Sequence, residues 1–286
     1  MHATPPPVDT ARSILVTGCS SGIGRCVADG LRARGWRVFA TARRPADVDA
    51  LRAAGFADAL RLDLDDSASI GAAVDAVLAR TGGRLDALFN NGAYGQPGAV
   101  EDLTRAALRA QFESNLFGWL ELTNRVLPVM RRQGHGRVLM NSSVLGLVAM
   151  PLRGAYNASK FALEGLTDTL RLELAGSGVQ VVLIEPGPIE SRFRANALAA
   201  FRRHVDTERS AHRAVYARML ARLEKPGPAA PFTLPPEAVL RAVLRALESR
   251  RPRRRYAVTL PTHLFALLRR LLPAALLDPL LKRAGR

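Results

Sequence analysis

The chain of 286 residues is 48% hydrophobic and 23% charged, enough apolar material for one large α/β core and too much for a disordered chain. Its formal charge of +16 admits nucleic acid or an anionic surface as a partner, yet only three of the 41 basic residues are lysine (Lys160, Lys225, Lys282), a bias that genomic composition also produces. Two cysteines, Cys19 and Cys26, with no histidine cluster nearby, offer neither a disulfide framework nor a zinc site, so no metal and a reducing, cytoplasmic setting are expected.

From Met1 to Ser13 the chain is short and polar, with the run Pro5, Pro6, Pro7, and lacks the apolar stretch of a secretory signal. Short β-branched or apolar runs then alternate with helical patterns, the signature of repeated βαβ units. Strands are predicted at Ser13 to Thr17, Arg37 to Thr41, Ala59 to Leu62, Leu85 to Asn90, Arg137 to Asn141, Val179 to Glu185 and Tyr256 to Leu260. Helical spacing follows them, as in Val27 and Leu31, or Ile70, Val74, Val77 and Leu78. The expected fold is α/β and doubly wound: a mostly parallel, seven-stranded sheet with helices on both faces and ligands beyond the carboxyl ends of the strands.

Between Ser191 and Lys225 the alternation gives way to an arginine-rich insert in which Val215, Met219, Leu220 and Leu223 recur at helical spacing. Helices covering a site are expected there, with Pro226 to Pro236 as a hinge or loop before a helix at Glu237 to Glu248. The whole reads as one domain, with a core over 11–190, a lid over 191–235 and a C-terminal helix, last strand and basic tail over 236–286. From Ser249 onward there are ten basic residues against one acid, Asp278. Leu264, Leu267, Leu268, Leu271 and Leu272 form an amphipathic stripe broken by Pro273 and Pro279, too short to span a bilayer. It can pack on the body or a second subunit, or lie peripherally on an anionic inner membrane surface.

Two local patterns carry chemistry. Thr17, Gly18, Cys19, Ser20, Ser21, Gly22, Ile23 and Gly24 make a glycine-rich turn after the first strand, where unpaired N–H groups at a helix N-terminus suit a pyrophosphate. Tyr156 and Lys160, four apart, place a phenol and an ammonium on one helical face, where positive charge favours the phenolate. The second strand ends at Ala42, Arg43 and Arg44 without the carboxylate that holds adenine-ribose hydroxyls in NAD enzymes. Arginine there pairs with a 2′-phosphate, so NADP(H) is predicted over NAD(H); a solvated arginine turn is the alternative.

The order Thr-Gly-x-x-x-Gly-x-Gly, followed by Asn90-Asn91-Gly92-Ala93, Asn115, Asn141-Ser142-Ser143, Tyr156 to Lys160 and Pro186-Gly187, resembles the short-chain dehydrogenase/reductase family over about residues 11–195. The segment Ala155 to Leu166 is similar to its hydroxysteroid and retinol dehydrogenase branch. One departure is that Gly92 and Ala93 stand exchanged relative to the usual Asn-Asn-Ala-Gly.

The resemblance implies a Rossmann-type oxidoreductase, a homodimer or homotetramer, with Tyr156 as acid/base and Ser143 orienting the substrate oxygen. It further implies Lys160 on the nicotinamide ribose and Asn115 holding a water linked to Lys160. Asp63 would contact the adenine, Asn91 and Gly92 the adenosine ribose, and Pro186, Gly187 and Ile189 would face the nicotinamide. Each has a plainer reading: Ser142 and Ser143 as strand terminators, Asp63 as a turn cap, Asn115 as a buried amide satisfied by backbone. Leu145, Leu147, Met150, Pro151 and Leu152 suit either core packing or a small lipophilic alcohol or ketone such as a steroid, retinoid or long-chain carbonyl. A catalytically silent nucleotide sensor or membrane-surface interaction protein on the same fold is the other function left open. No recognition module or clustered aromatics accompany the arginines, so no specific nucleic-acid partner is expected.

Overall fold

The computed structural model describes residues 11–224, 227 and 230–285. The Pro5 to Pro7 run, Lys225, Pro226 and Arg286 lie outside the described residues.

Seven parallel strands form one sheet in the order β3-β2-β1-β4-β5-β6-β7. They are β1 (Ser13–Val16), β2 (Arg37–Ala42), β3 (Leu60–Arg61), β4 (Ala87–Asn90), β5 (Gly136–Asn141), β6 (Val179–Glu185) and β7 (Arg255–Ala257). The central strands are mostly apolar, as a parallel sheet covered on both faces requires; in β1 all four residues are buried. Strand order reverses between β1 and β4, which opens a crevice at the carboxyl edge of the sheet.

One face is covered by α1 (Gly22–Arg32), α2 (Pro45–Ala53) and α9 (Glu237–Glu248), whose Val27, Leu31, Leu51, Val239 and Val243 share a core with Ile14 and Val16. The other is covered by α3 (Ser67–Thr81), α5 (Gly118–Gln133) and α6 (Gly154–Glu173), through Ile70, Val77, Trp119, Leu122 and Leu163. The 3–4 spacing of these side chains puts them on one stripe of each helix. A short helix α4 (Arg105–Phe112) runs into α5 through a π-helical turn, Glu113–Phe117.

The insert folds as α7 (Phe193–His204) and α8 (Arg213–Glu224), joined by a small core of Phe201 and Tyr216. Tyr216 pins this pair to the body: its hydroxyl accepts from the Ala99 N–H at 2.9 Å and donates to the Asp102 carboxylate.

The C-terminal segment departs from expectation in three ways. Strand β7 ends at Ala257, and Leu260 begins helix α10 (Leu260–Leu271), because Pro261 in its first turn suits a helix start and cannot donate to a ladder. The predicted leucine stripe is buried only in part: Leu264, Leu267 and Leu271 are exposed. Instead α10 buries Thr262 and Phe265, and Leu268 and Leu272 pack with Phe265 against Val144, Leu145 and Val148. The body offers an apolar niche to the aromatic ring, and that sets the helix rotation. Pro279 does not break the tail but lies inside α11 (Ala274–Ala284), anchored by Leu277 and Leu281 on either side; Pro273 is the actual break. No helix among the described residues is long and apolar enough to cross a membrane.

Candidate active site

The glycine turn is built by close backbone approach. Gly18 has φ +73°, and a Cβ there would lie 2.7 Å from the Gly92 Cα; at Gly24 it would lie 2.2 Å from the Gly18 carbonyl oxygen. Neither position accepts a side chain without moving backbone. At the exchanged Gly92 a Cβ would lie 3.4 Å from the Gly18 nitrogen, so it is Gly18 that lets the ends of β1 and β4 meet. Thr17 ties the two strand ends, its Oγ1 accepting from the N–H groups of Asn91 and Gly92, both at 2.8 Å. Asn91 returns a bond from Nδ2 to the Thr17 carbonyl at 2.9 Å. At the start of α1, Ser21 is extended and its side chain caps nothing, so the first N–H groups of the helix are left for a ligand. A glycine cradle beside an uncapped helix N-terminus fits the pyrophosphate of a dinucleotide.

At the end of β2, Arg44 is taken up by Asp47, with bonds of 2.8 and 2.9 Å that hold the carboxyl below its usual range. The exposed Arg43 side chain makes no hydrogen bond or ion pair among the described residues. Of the two arginines, only Arg43 is ready for a phosphate. Asp63 caps its own turn, its Oδ1 accepting from the Asp65 N–H at 3.2 Å, which realises the plainer of its two readings in part.

Ser143 follows β5 and caps the short turn Val144–Gly146, its Oγ accepting from the Leu145 N–H at 3.1 Å. The same side chain lies beside Tyr156, on the first turn of α6, and acts to lower the phenol. Burial nonetheless pushes the phenol up to about 12. Lys160, one turn on, is 1% exposed; its Nζ donates to the Asn141 carbonyl at 2.8 Å and sits 4.3 Å above the Trp119 ring and 5.7 Å from the centre of the Tyr156 ring. Burial brings the ammonium down to about 7, against the opposing charge of Glu164. The expectation that the lysine lowers the phenol is thus corrected: desolvation outweighs the neighbouring cation, whose direct partners are a carbonyl and an indole face. A neutral phenol beside Ser143 is equipped to give up a proton to a developing alkoxide.

Asn115 is fully buried in the π-helical turn. Its amide bonds both backbone groups of Tyr94, Nδ2 to the carbonyl at 2.8 Å and Oδ1 from the N–H at 3.2 Å, and Nδ2 also reaches Ser159 at 3.4 Å. The side chain holds the loop after β4 in place and is spent on doing so. Behind Lys160, the carboxylates of Glu164, Glu185 and Asp168 converge on Arg255 of β7. Burial raises Glu185 to about 7.

A cavity of about 1780 Å³ connects these parts. It runs from Gly18, Ser20, Ser21, Gly22 and Ile23 past Asn91 and Gly92 to Ser143, Tyr156 and Lys160, with Pro186, Gly187 and Ile189 on its wall. Arg43, Asp63, Gly24 and Asn115 do not line it. Its far end is apolar, with Leu145, Met150, Leu152, Met219, Leu223 and Phe265. Phe193 of α7 lies edge-on to Tyr156, ring centres 5.3 Å apart, and fits the space left at Gly95, where a Cβ would be 2.7 Å from its Cζ. Neither Phe193 nor Thr17 stood out as a site residue in the sequence; Phe193 carried only the signal of an apolar residue opening an arginine-rich insert.

A family model described as short chain dehydrogenase matches residues 12–200. The uncharacterized oxidoreductase YbbO of Escherichia coli (strain K12) is 44% identical over 271 residues, covering 95% of this chain and 94% of its own. The NADPH-dependent 3-dehydrocapnine reductase of Ornithobacterium rhinotracheale is 31% identical over 274 residues, 93% and 95% of the two chains. Human 17-beta-hydroxysteroid dehydrogenase type 1 is 38% identical over 198 residues, 65% and 60% of the two. Among solved structures, a short-chain dehydrogenase from Streptomyces avermitilis is 32% identical, covers 95% of this chain and 94% of its own, and superposes with a TM-score of 0.74.

Proposed function

Because the chain belongs to the short-chain dehydrogenase family of oxidoreductases, we propose that it interconverts a lipophilic alcohol and its carbonyl with NADP(H), using Tyr156 as the acid/base. The observation that carries this reading is the meeting of Ser143, Tyr156 and Lys160 in one cavity with the glycine cradle. A bound nicotinamide would supply or accept the hydride. The chain's part is then to orient the reacting oxygen and move one proton.

Ser143 and the Tyr156 Oη together bond the substrate oxygen; in reduction the phenol passes its proton to that oxygen as the carbonyl carbon becomes tetrahedral. Lys160 offsets the phenolate left behind, and Asn141, through its carbonyl, holds the ammonium in place. Asn115 acts by positioning the loop at Tyr94. The segment 191–235 serves as a lid, with Phe193 pressing on the Tyr156 ring and excluding water. The buried end of β2 at Ala42, the free Arg43 and the cofactor in the name of the Ornithobacterium relative support NADP(H) over NAD(H).

Following NADPH absorbance with a panel of long-chain aldehydes, ketones and steroid ketones tests the reading. Turnover with kcat/KM for NADPH well above that for NADH is expected. Turnover only with NADH would overturn the cofactor assignment, and no turnover of any lipophilic carbonyl would overturn the substrate class.

A further inference from the structure

The substrate end of the cavity is not only apolar. Arg153 at the start of α6, Arg218 and Arg222 on α8, and Lys282 and Arg283 on α11 all line it, whereas Glu190 is the one carboxylate among the described lining residues. Arg194 lines the cavity beside them, its Nη1 donating to the Arg222 carbonyl at 3.4 Å, whereas Arg192 adjoins Ser191, whose Cβ faces Gly22 of the cofactor cradle.

Arg153 is the centre of this basic wall. Its Nη1 donates to the carbonyls of Pro151 at 3.0 Å and Gly285 at 3.4 Å, and Arg222 donates to the same Gly285 oxygen at 3.1 Å. Two guanidinium groups thus converge on one neutral oxygen. Among the described residues Arg153 has no carboxylate partner, and its Nε and Nη2 donate to no protein group. Burial and the charge of Arg222 bring it down to about 10. A half-buried guanidinium beside a like charge is stabilised when an anion joins it. The residue before it, Leu152, is held at φ +62°, a conformation a bulky side chain adopts only under constraint.

We propose that the substrate of this site is an anionic amphiphile: a lipophilic carbonyl or alcohol whose carboxylate, phosphate or sulfonate head is received by Arg153 and Arg218, with its apolar chain against Met150, Leu152, Met219 and Leu223. A planar oxyanion gains two parallel N–H bonds from the open side of Arg153, which a neutral hydroxyl or ester cannot match. The inference deepens the oxidoreductase reading and rests on it for the reacting end of the molecule, whereas head-group capture stands on the basic wall alone.

Equilibrium binding to the full chain, below the micellar range, of dodecanoate, dodecyl phosphate, 1-dodecanol and methyl dodecanoate tests it. Both anions should bind at least about tenfold more tightly than the neutral compounds of equal chain length, a preference that falls with added salt. Comparing the two anions tells a carboxylate site from a phosphate site. Arg153→Gln should reduce the preference to under about threefold. So should Arg218→Glu, an exposed change at a side chain that holds no hydrogen bond among the described residues. Arg250→Gln with Arg251→Gln, on the basic tail outside the cavity, should leave it intact.

Equal affinity for dodecanoate and dodecanol, an undiminished preference in Arg153→Gln and Arg218→Glu, or an equal loss in the tail variant would overturn the proposal. A parallel assay of 12-oxododecanoate and its methyl ester with NADPH separates the two readings. Binding preference without turnover of either compound sinks the oxidoreductase reading alone. Turnover of both with no binding preference sinks this one alone.

Discussion

The two ends of the cavity are made of different material. At the cofactor end, backbone touches backbone: Gly18 against Gly92, Gly24 against the Gly18 carbonyl, Thr17 clamping Asn91 and Gly92. At the substrate end, side chains from α6, α7, α8, α10 and α11 face one another across an open space, mixing arginines with leucines and methionines. The first end has one solution, set by sterics. The second is tunable, because no backbone contact there forbids a change of side chain, and this is where relatives sharing one cradle can take different substrates.

Gly24→Val breaks the contrast most severely. Its Cβ would fall 2.2 Å from a carbonyl oxygen that cannot move without opening the β1–β4 contact. Cofactor binding should be lost, with destabilisation of about 1–3 kcal/mol or more; retention of NADPH affinity in a titration would show the cradle to be as soft as the far end. Within α10 the same contrast separates two faces. Phe265→Ala, at a buried ring, should cost about 3–5 kcal/mol in urea unfolding. Leu267→Ser, at an exposed one, should stay within about 0.5 kcal/mol. The reverse order would restore the leucine stripe as the packed face.

Lys160 gives a pH test of its burial. The folded protein holds it at about 7, whereas an unfolded lysine titrates near ~10.4. Between those values the unfolded chain binds more protons, so this group's contribution to stability rises as pH rises. The stability of the wild type relative to Lys160→Met should therefore increase from about pH 6 to about pH 9. A constant difference would mean the ammonium is not desolvated. A smaller effect than loss of the cradle is expected at the turn after β2. Arg43→Leu should weaken NADPH about tenfold and spare NADH, while Arg44→Leu, already paired with Asp47, should change NADPH affinity less than about threefold.

The unequal legibility of the two ends follows from the same difference. The glycine turn and the Tyr156–Lys160 pair are local patterns whose spacing survives in the sequence, and six of seven strands lie within two residues of their predicted bounds at each end. The seventh strand and the rotation of α10 were misread because Pro261 and the niche for Phe265 decide them, and the niche exists only once Val144, Leu145 and Val148 are assembled. Arg153 was invisible as a site residue for a similar reason. In a chain with this many arginines, only tertiary structure reveals which of them lack a carboxylate partner. Asn115 showed both its readings in the sequence; that its side-chain amide is taken up by the Tyr94 backbone, 21 residues away along the chain, is visible only in the fold.

The central claim is that the Tyr156 hydroxyl is the proton-transfer group of this cavity, and Tyr156→Phe examines it with least disturbance. Turnover of a lipophilic carbonyl with NADPH should fall by about 10²–10⁴-fold while NADPH affinity, measured by fluorescence on the same sample, stays within about twofold. Turnover within about threefold of the wild type at unchanged affinity would contradict the account.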